Sequence, residues 1–414
     1  MSIARQLGTA AVLVVRQLWR RMSGAGAREW LSAAELETSL QMLIDRVGQG
    51  VVKRVTFVDL PATEPPWFDT GLDIEAGAEV TTLASGRVWL SRALGLWVGP
   101  AFHLWRRVGA AGRIARGKRN TCTFLSAEGG RLYLGGVGPG WWKDINGGLG
   151  VEPRRYRTAS GSMSVAVIEW DCATVEGLRR LTEQGDVGGL LAAELDRLQT
   201  EQPVPEGWHY LWELGPGEIY RQEDASGIAE NPAPADESPP SGPVIHCHTQ
   251  GDVGILQKAA AVPLTDSTRL AWRWKVDSLP CRYAEDSVPM HDYMSIAVEF
   301  DNGRDITFYW SASLPVGTHY HCPLPAWKDR ETHVVVRSGS EGLGRWLSEE
   351  CVLAEEYRRA IGGELPERVT RVWLIANSMF QKGEGRCSYA GIRLLGGDEL
   401  DGDPLDGDSE LVIL

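Results

Sequence analysis

The spacing of apolar residues predicts one amphipathic helix near the start of the chain, followed by many short strands. Between Ala33 and Val47, the residues Leu36, Leu40, Leu43 and Ile44 fall on one face at helical spacing. Polar residues occupy the opposite face, as in a helix that packs one side against a core.

Short apolar runs follow this helix, and each run is bounded by Gly, Pro, Asn or Asp. Such punctuation is typical of a β-sandwich rather than of alternating strands and helices. The runs are VVKRVTFV at 51–58, EVTTLASGRVWLS at 79–91, NTCTFLSA at 120–127, RLYLGGV at 131–137 and GSMSVAVIEW at 161–170. Two helices are expected at about 174–200, and one more strand at 209–220.

A change of composition separates this first region from a second one. Residues 221–243 hold five Pro and many small or acidic residues, so we expect a linker there. The strand pattern then resumes, with one helix at about 350–361. The second set of runs is RLAWRWKVDSL at 269–279, YMSIAVEF at 293–300, DITFYWSA at 305–312, THVVVRSG at 332–339, RVWLIANS at 371–378 and YAGIRLL at 389–395.

These elements predict a mainly β protein of two antiparallel β-sandwich modules, jelly-roll-like or galactose-binding-like, with a few peripheral α-helices. The expected order has five parts: an N-terminal helical segment at 1–56, a sandwich with a helical extension at 57–220, a linker at 221–243, a second sandwich at 244–396 and an acidic tail at 397–414. We expect the tail to be disordered, because it is acidic and rich in Gly.

Composition and charge narrow the classes of partner. The 17 Trp and 48 Gly suit short strands joined by tight turns, and exposed Trp rings could also stack on sugars. A net charge of −13 argues against nucleic acid as a partner. Seven scattered Cys without a C-x-x-C pair indicate reduced thiols in a cytoplasmic protein.

The N-terminus carries an apolar stretch that is too short for a membrane span. Leu7 to Val15 is nine residues long and is followed by Arg16, Arg20 and Arg21. A signal peptide is not expected, because the basic residues follow the apolar run. Two alternatives stay open, a helix packed on the protein and a basic amphipathic helix in peripheral contact with a membrane surface.

The loop GPGWWKDINGG combines two adjacent aromatic rings with polar groups in a frame of glycines. Trp141, Trp142, Lys143, Asp144 and Asn146 are therefore candidate ligand-binding residues, because a sugar presents C–H faces to rings and hydroxyls to polar groups. The alternative is packing, in which one Trp closes the end of the sandwich and the other seals the interface between the modules.

Two further groups of residues are candidates for binding. His103 and Trp105 would share one face of a strand, with Arg106 and Arg107 beyond them. In the second module, Arg273, Asp292, Tyr309 and Arg337 are polar residues within apolar strand patterns. Such groups must be paired if buried, and a converging set would form a site.

Two pairs of histidines are the candidate metal ligands in the sequence. His246 and His248 lie two residues apart, as do His319 and His321, and a metal site would require the two strands to meet. We assign no metal from the sequence, and no cofactor. The sequence contains no G-x-S-x-G, H-E-x-x-H or G-x-x-x-x-G-K-[ST] motif.

The first module resembles the small calcium-dependent galactophilic bacterial lectins over about 57–172. The matching segments are EAGAEVTTLASGRVWLS, LWVGP, GGRLYLGGVGPG and YRTASGSMSVAVIEW. This resemblance implies a jelly-roll-like sandwich. In that family an Asp and an Asn pair hold calcium, but here Gly135-Gly136 and Thr158-Ala159 take those places. The ligand pattern for calcium is therefore not retained, although Asp144 and Asn146 could supply oxygens instead.

The second module resembles the uncharacterised bacterial family numbered 3047 among domains of unknown function, over about 244–396. The residues that carry this are LAWRWKVDSLP, FYWSASLPVGT, HVVVRSG and YAGIRLL. The resemblance implies a galactose-binding-like sandwich and no known reaction.

These observations lead to one preferred function and two alternatives. The preferred function is non-catalytic binding of a carbohydrate or another small polar ligand. One alternative is an enzyme acting on a glycan, with Asp292, Glu299 and His291 as acid-base groups. The other is a structural or interaction protein held at a membrane surface by residues 1–24.

Overall fold

The computed structural model describes residues 30–92, 95–214, 217–224, 242–396 and 409–414, which form two compact units. Unit 1 contains the described residues up to Glu201 together with 212–214. Unit 2 contains Gln202–Leu211 and the described residues from Gly217 onward. The predicted amphipathic helix at 1–24 lies outside the described residues.

Unit 1 consists of two antiparallel sheets with helices on one side. The helices are α1 (Ala33–Val47), α2 (Pro100–His103), α3 (Thr174–Gln184) and α4 (Leu190–Thr200). The strands are β1 (Val52–Pro61), β2 (Phe68–Ile74), β3 (Glu79–Ser91), β4 (Leu96–Val98), β5 (Leu104–Val108), β6 (Ala115–Arg116), β7 (Thr121–Leu125), β8 (Gly130–Gly136) and β9 (Ser160–Trp170). One sheet has the order β1-β9-β3-β4 with β7 on β3, and the other has the order β2-β8-β5-β6.

Unit 2 also consists of two sheets. Its helix is α5 (Leu353–Ala360). Its strands are β10 (His209–Tyr210), β11 (Tyr220–Asp224), β12 (Pro243–Gln250), β13 (Val253–Pro263), β14 (Arg269–Ser278), β15 (Tyr293–Phe300), β16 (Asp305–Ser311), β17 (His319–His321), β18 (Glu331–Ser338), β19 (Trp346–Val352), β20 (Arg368–Asn377), β21 (Glu384–Gly396) and β22 (Ser409–Val412). The strand orders are β10-β13-β20-β15-β16-β18-β17 and β11-β12-β21-β14-β19, with β22 on β21. The prediction of a mainly β protein is confirmed.

The start, the end and the buried face of helix α1 follow from its local sequence. Ser32 caps the helix, because its hydroxyl accepts a hydrogen bond from the Glu35 amide while the Glu35 carboxylate accepts one from the Ser32 amide. The helix ends at Gly48, which has a φ of 76°. The predicted stripe of Leu36, Leu40 and Leu43 is buried, and it packs against the five-stranded sheet together with apolar residues of α3 and α4.

The core of unit 2 lies between its two sheets and is rich in aromatic residues. Trp272 and Trp274 of β14 meet Phe308 and Trp310 of β16 there, and all four side chains are fully buried. Strands β15 and β16 form a hairpin whose turn contains Asn302-Gly303, and Gly303 has a φ of 77° that glycine adopts without strain.

The structure corrects three predicted boundaries. Arg221–Asp224 and Pro243, which we expected in the linker, belong to the paired strands β11 and β12. Residues 209–220 are not one strand, because β10 ends at Tyr210. In the predicted disordered tail, β22 pairs with Arg393–Gly396 of β21, beyond the residues of β21 that pair with β12. Within the described ranges, no helix is long and apolar enough to cross a membrane.

Candidate functional site

Unit 1 contains a pocket of about 460 Å³ that we call the His103 pocket. Leu60, Val88 and Met163 of the five-stranded sheet and Leu134 of the other sheet line its inner part. Its remaining wall comes from the connection between β1 and β2 and from the glycines that follow Leu134. Those residues are Pro61, Ala62, Glu64, Pro65, Pro66, Trp67, Phe68, Gly135, Gly136 and Gly138.

His103 lines this pocket at the C-terminal end of α2. The side chain is buried. Burial lowers the pKa of the imidazole from 6.5 to about 4, because removal from water disfavours the charged form. His103 is therefore neutral at pH 7 and can both donate and accept a hydrogen bond.

Positions 135 and 136 of the pocket require glycine, because neighbouring groups lie too close to the backbone there for a side chain. A Cβ atom on Gly136 would lie 2.2 Å from Nε2 of His103, and one on Gly135 would lie 2.6 Å from Cβ of Pro66. The resemblance to the lectin family implied a calcium-binding carboxylate at the place that Gly135-Gly136 take. In this chain, His103 and Pro66 fill the space that such a side chain would need.

The five candidate residues of the 141–146 loop have different environments. Trp142 is buried and stacks on Trp67 at a centroid distance of 5.0 Å, with Trp105 edge-on at 5.6 Å. This packing is the alternative that we left open for one of the two rings. Trp141 is 50% exposed, so its ring remains accessible.

The polar candidates of this loop hold the loop itself together. Oδ1 of Asp144 accepts hydrogen bonds from the amides of Asn146 and Gly148 at 2.9 and 3.1 Å. The carbonyl of Asn146 accepts a bond from Arg107, and the Lys143 side chain is exposed. These bonds match the usual role of Asp and Asn in turns. A role of the loop in binding stays a prediction.

The expectation that His103 and Trp105 share a strand face is wrong. His103 ends the helical turn α2, whereas Trp105 belongs to β5 and packs beside Trp142. The two Arg residues that follow are committed to ring contacts: the guanidinium of Arg106 lies 4.1 Å from the Phe124 centroid, and that of Arg107 lies 4.4 Å from the Trp67 centroid.

The polar candidates of unit 2 lie in separate places. Arg273 is on β14 with its guanidinium 5.9 Å from the Trp346 ring, and Arg337 on β18 pairs with Glu349 at 2.5 Å. Asp292 precedes β15, and its carboxylate accepts hydrogen bonds from the amides of residues 380 and 381. Burial raises the pKa of Asp292 to about 7.

The two predicted histidine pairs also remain apart. His246 and His248 lie on β12, and they contact Ser388 and Glu384 at 2.9 Å each. His319 and His321 lie on β17, in the other sheet of unit 2.

The proposed acid-base residues are likewise not paired. Glu299 forms an ion pair with Arg371 at 2.8 Å, whereas the carboxylate of Asp292 is bonded to backbone amides.

The structure instead brings together a buried set that we call the His291 cluster, formed by His291, Cys322, Glu331 and His333. One ligand atom from each side chain lies within 4.8 Å of the others. All four residues are buried. Glu331 and His333 share one face of β18, and Cys322 lies opposite Glu331 just after β17, where its amide donates to the Glu331 carbonyl at 2.9 Å.

The rings and carboxyl group of the cluster are fixed by surrounding hydrogen bonds. Nδ1 of His291 donates to the Glu285 carbonyl at 2.8 Å, so Nε2 carries the free lone pair, and it lies 3.4 Å from Sγ of Cys322. Oε1 of Glu331 accepts bonds from the hydroxyl groups of Tyr293 at 2.9 Å and Thr307 at 3.3 Å.

Burial sets the protonation of the cluster. It lowers the pKa of His291 to about 3 and raises the pKa of the Cys322 thiol. Burial alone would also raise the pKa of Glu331, but the adjacent imidazoles and hydrogen bonds outweigh it and lower that pKa. At neutral pH the carboxylate is therefore charged, His291 is neutral and the thiol keeps its proton.

Sequence reasoning missed this cluster as a set. It named His291 as an acid-base candidate, and it did not consider Cys322, Glu331 or His333 as ligands. The available signal was the spacing of Glu331 and His333, which places both on one face of a strand. The separation of 31 residues between His291 and Cys322 gives no motif.

Comparisons with known proteins bear on both units. Residues 236–393 match the model of a family described as "Protein of unknown function (DUF3047)", the family that the second module resembles. No curated protein matches the chain.

Solved structures with similar folds include a lectin domain, a xyloglucanase domain and a protein in complex with an oligosaccharide. The N-terminal domain of EclA, a PllA-like lectin, is 17% identical, with a TM-score of 0.23, and the match covers 30% of this chain and 99% of that chain. The xyloglucanase domain of NopAA from Sinorhizobium fredii, in complex with cellobiose, is 10% identical, with a TM-score of 0.25 and coverages of 46% and 97%.

The third is TmCBM61 in complex with β-1,4-galactotriose, which is 10% identical, with a TM-score of 0.21 and coverages of 46% and 88%. At these TM-scores, none of the three likenesses carries an argument about the function of this chain.

We expect unit 1 to lose stability as the pH falls from about 6.5 to about 4. The unfolded chain binds a proton at residue 103 in this window, whereas the folded chain keeps His103 neutral, so acid favours unfolding. The contribution is about 3 kcal/mol, from about 1.4 kcal/mol per unit of pKa. Urea unfolding at several pH values measures it. His103→Gln should weaken the dependence of the unfolding free energy of unit 1 on pH, whereas His209→Gln, at an exposed residue, should leave it unchanged. An equal pH dependence in the parent chain and in both variants would contradict the prediction.

Proposed function

We propose that this protein binds a carbohydrate, or another small ligand of mixed polarity, in the His103 pocket of unit 1. The observation that carries the proposal is the buried imidazole of His103, which lines a pocket of about 460 Å³ and has its pKa lowered by burial to about 4. A neutral imidazole at the wall of a pocket can donate a hydrogen bond to one ligand hydroxyl or accept one from another.

The dimensions and chemistry of the pocket suit a sugar residue. Small-molecule sites commonly have volumes of roughly 300–1,000 Å³ and combine apolar walls with a few polar groups. Here Pro61, Pro65, Pro66 and Phe68 supply apolar surface, and Phe68 is 48% exposed at the wall of the pocket. The C–H face of a sugar could lie on the Phe68 ring while a hydroxyl reaches His103.

The exposed ring of Trp141 is the other part of this proposal. It belongs to the loop that the sequence singled out, and it is the accessible member of the Trp pair. Binding at Trp141 and binding at the His103 pocket are distinguishable, because Trp141 is not among the residues that line the pocket.

Calorimetric titration of the full chain with defined oligosaccharides tests the proposal. Cellobiose and β-1,4-galactotriose are the first ligands to try, because they are short oligosaccharides of defined β-1,4 linkage. We expect Phe68→Ala to weaken binding by roughly tenfold, which corresponds to about 1.4 kcal/mol of lost ring contact. Product analysis of the same mixtures shows whether the sugars are also cleaved.

The matched control is Leu125→Ala, which removes an apolar side chain that is 66% exposed and lies outside the pocket. It should bind as the parent does. If Trp141→Ala abolishes binding and Phe68→Ala leaves it unchanged, the site is the 141–146 loop. If the parent binds no sugar in an array of glycans, the carbohydrate proposal is wrong.

A further inference from the structure

We propose that unit 2 binds one divalent transition metal ion of the zinc class through the His291 cluster. This site is separate from the His103 pocket, and its test is independent of sugar binding. The four ligand atoms lie within 4.8 Å of one another. In a tetrahedral zinc site with bonds of about 2.0–2.3 Å, ligand atoms lie about 3.3–3.8 Å apart, so small side-chain movements would complete the geometry.

The types of ligand select the class of metal. Two imidazoles, one thiol and one carboxylate form a set that suits zinc and similar borderline ions. Calcium and magnesium prefer sites built only from oxygen ligands, which this cluster does not offer. The thiol would bind as a thiolate, with its proton released to solvent.

Hydrogen bonds from outside the cluster orient two of the proposed ligands, His291 and Glu331. The bond from Nδ1 of His291 to the Glu285 carbonyl leaves Nε2 free, and that nitrogen faces Cys322. Such a bond from the second ring nitrogen to a carbonyl is the usual support of a metal-bound histidine. The hydroxyl of Tyr293 orients Glu331 in the same way.

His333 gives an independent observation. Both of its ring nitrogens are buried without a hydrogen bond in the described part of the chain, and Nε2 lies 3.4 Å from Oε1 of Glu331, another member of the cluster. Its ring is fixed by stacking on Tyr320, with centroids 5.1 Å apart and planes 11° apart. An imidazole that is fully buried and unbonded is unfavourable, and coordination to a metal would satisfy it.

Asp305 lies beside the cluster without joining it, and burial together with the nearby Glu331 carboxylate raises its pKa well above the usual value. Its Oδ1 accepts a hydrogen bond from Thr307, which also donates to Glu331. The proposed role is structural, because four protein ligands leave no open position on a tetrahedral ion. The ion would join the end of β17, the start of β18 and the segment before β15, which are distant in the sequence.

The experiment uses the full chain, freed of affinity tags and treated with chelator, and titrates it with cobalt(II) and then with zinc. Cobalt(II) in a tetrahedral site with a thiolate gives intense visible bands and a sulfur-to-metal charge-transfer band in the near ultraviolet. We expect one ion per chain, displacement of cobalt by zinc, and a higher melting temperature for unit 2 alone. Hydrogen exchange of peptides from each unit separates the two transitions.

Two matched variants assign the ligand. Cys322→Ser should lose the charge-transfer band and weaken zinc affinity by at least about tenfold. Cys387→Ser replaces another buried cysteine of unit 2 that lies outside the cluster. This variant should keep the charge-transfer band and the zinc affinity of the parent chain. If a variant fails to fold, the cysteines of the parent chain can be alkylated under mild denaturant with and without zinc. Mass spectrometry then shows which cysteines have reacted. Zinc should then protect Cys322 more than Cys387.

Each result decides the proposal. Stoichiometric cobalt with a thiolate band that depends on Cys322, or selective zinc protection of Cys322, supports it. A folded chain that takes up neither metal overturns it, as does a thiolate band that persists in Cys322→Ser. Binding without a thiolate band, and without protection of Cys322, would place the metal elsewhere and would also overturn it.

Discussion

Replacing Glu194 with alanine is expected to lower the free energy of unfolding of unit 1 by about 3–5 kcal/mol. Glu194 of α4 is fully buried, and its carboxylate accepts hydrogen bonds from Arg197 at 2.7 and 2.9 Å and from the Thr123 amide at 2.5 Å. Without the carboxylate, Arg197 remains as a buried charge that has lost this partner. The penalty for such a charge exceeds the contribution of the intact pair.

Urea unfolding, followed by hydrogen exchange in peptides from α4 and β7, measures this loss. The control is Glu176→Ala on α3, which breaks an exposed ion pair with Arg179 and should change stability by less than about 1 kcal/mol. The double change Glu194→Leu with Arg197→Met should recover most of the loss, but the Thr123 amide would still lack an acceptor. A Glu194→Ala variant as stable as the Glu176→Ala variant would refute the expectation.

Replacing Trp274 with alanine should destabilise unit 2 by about 3–5 kcal/mol. Its side chain is fully buried on β14, edge-on to Trp272 and tilted against Trp310, with ring centroids 5.8 Å away in both cases. Its Nε1 donates to Oε1 of Glu349 at 3.0 Å. The change would therefore leave a cavity in the core and remove the hydrogen bond to the partly buried Glu349.

Thermal unfolding with unit-resolved hydrogen exchange checks this expectation, since unit 1 should be unaffected. Trp274→Phe should have a smaller effect because most of the ring volume is retained. Tyr283→Ala serves as the control, because Tyr283 is an exposed aromatic residue of unit 2 and its loss should be nearly neutral. An effect of Trp274→Ala confined to unit 1 would be incompatible with the fold described above.

Local features were predictable from the sequence because they depend on residues a few positions apart. The stripe of Leu36, Leu40 and Leu43 predicted α1 over 33–47, and the structure has it at Ala33–Val47. The helical pair at 174–200 and the helix near 350–361 were confirmed for the same reason. The predicted mainly β class followed from the strand runs between turn residues.

The environments of individual candidates were less predictable. Trp141 and Trp142 are adjacent and identical in type, yet one is half exposed and the other is buried beneath Trp67. Nothing within the loop distinguishes them, because the ring that covers Trp142 comes from a segment about 75 residues earlier in the chain. The same limit applies to His103, whose expected strand is a helical turn.

The sequence by itself determined every described helix except α2, most strands and the mainly β class, because periodicity and turn residues act over short distances. Only the tertiary structure decided which polar groups meet. The His291 cluster forms because β17 pairs with β18 and because the segment before β15 reaches the same face. Those contacts depend on the order of strands in a sheet, and strand order is set by burial of the whole core rather than by neighbours in the chain.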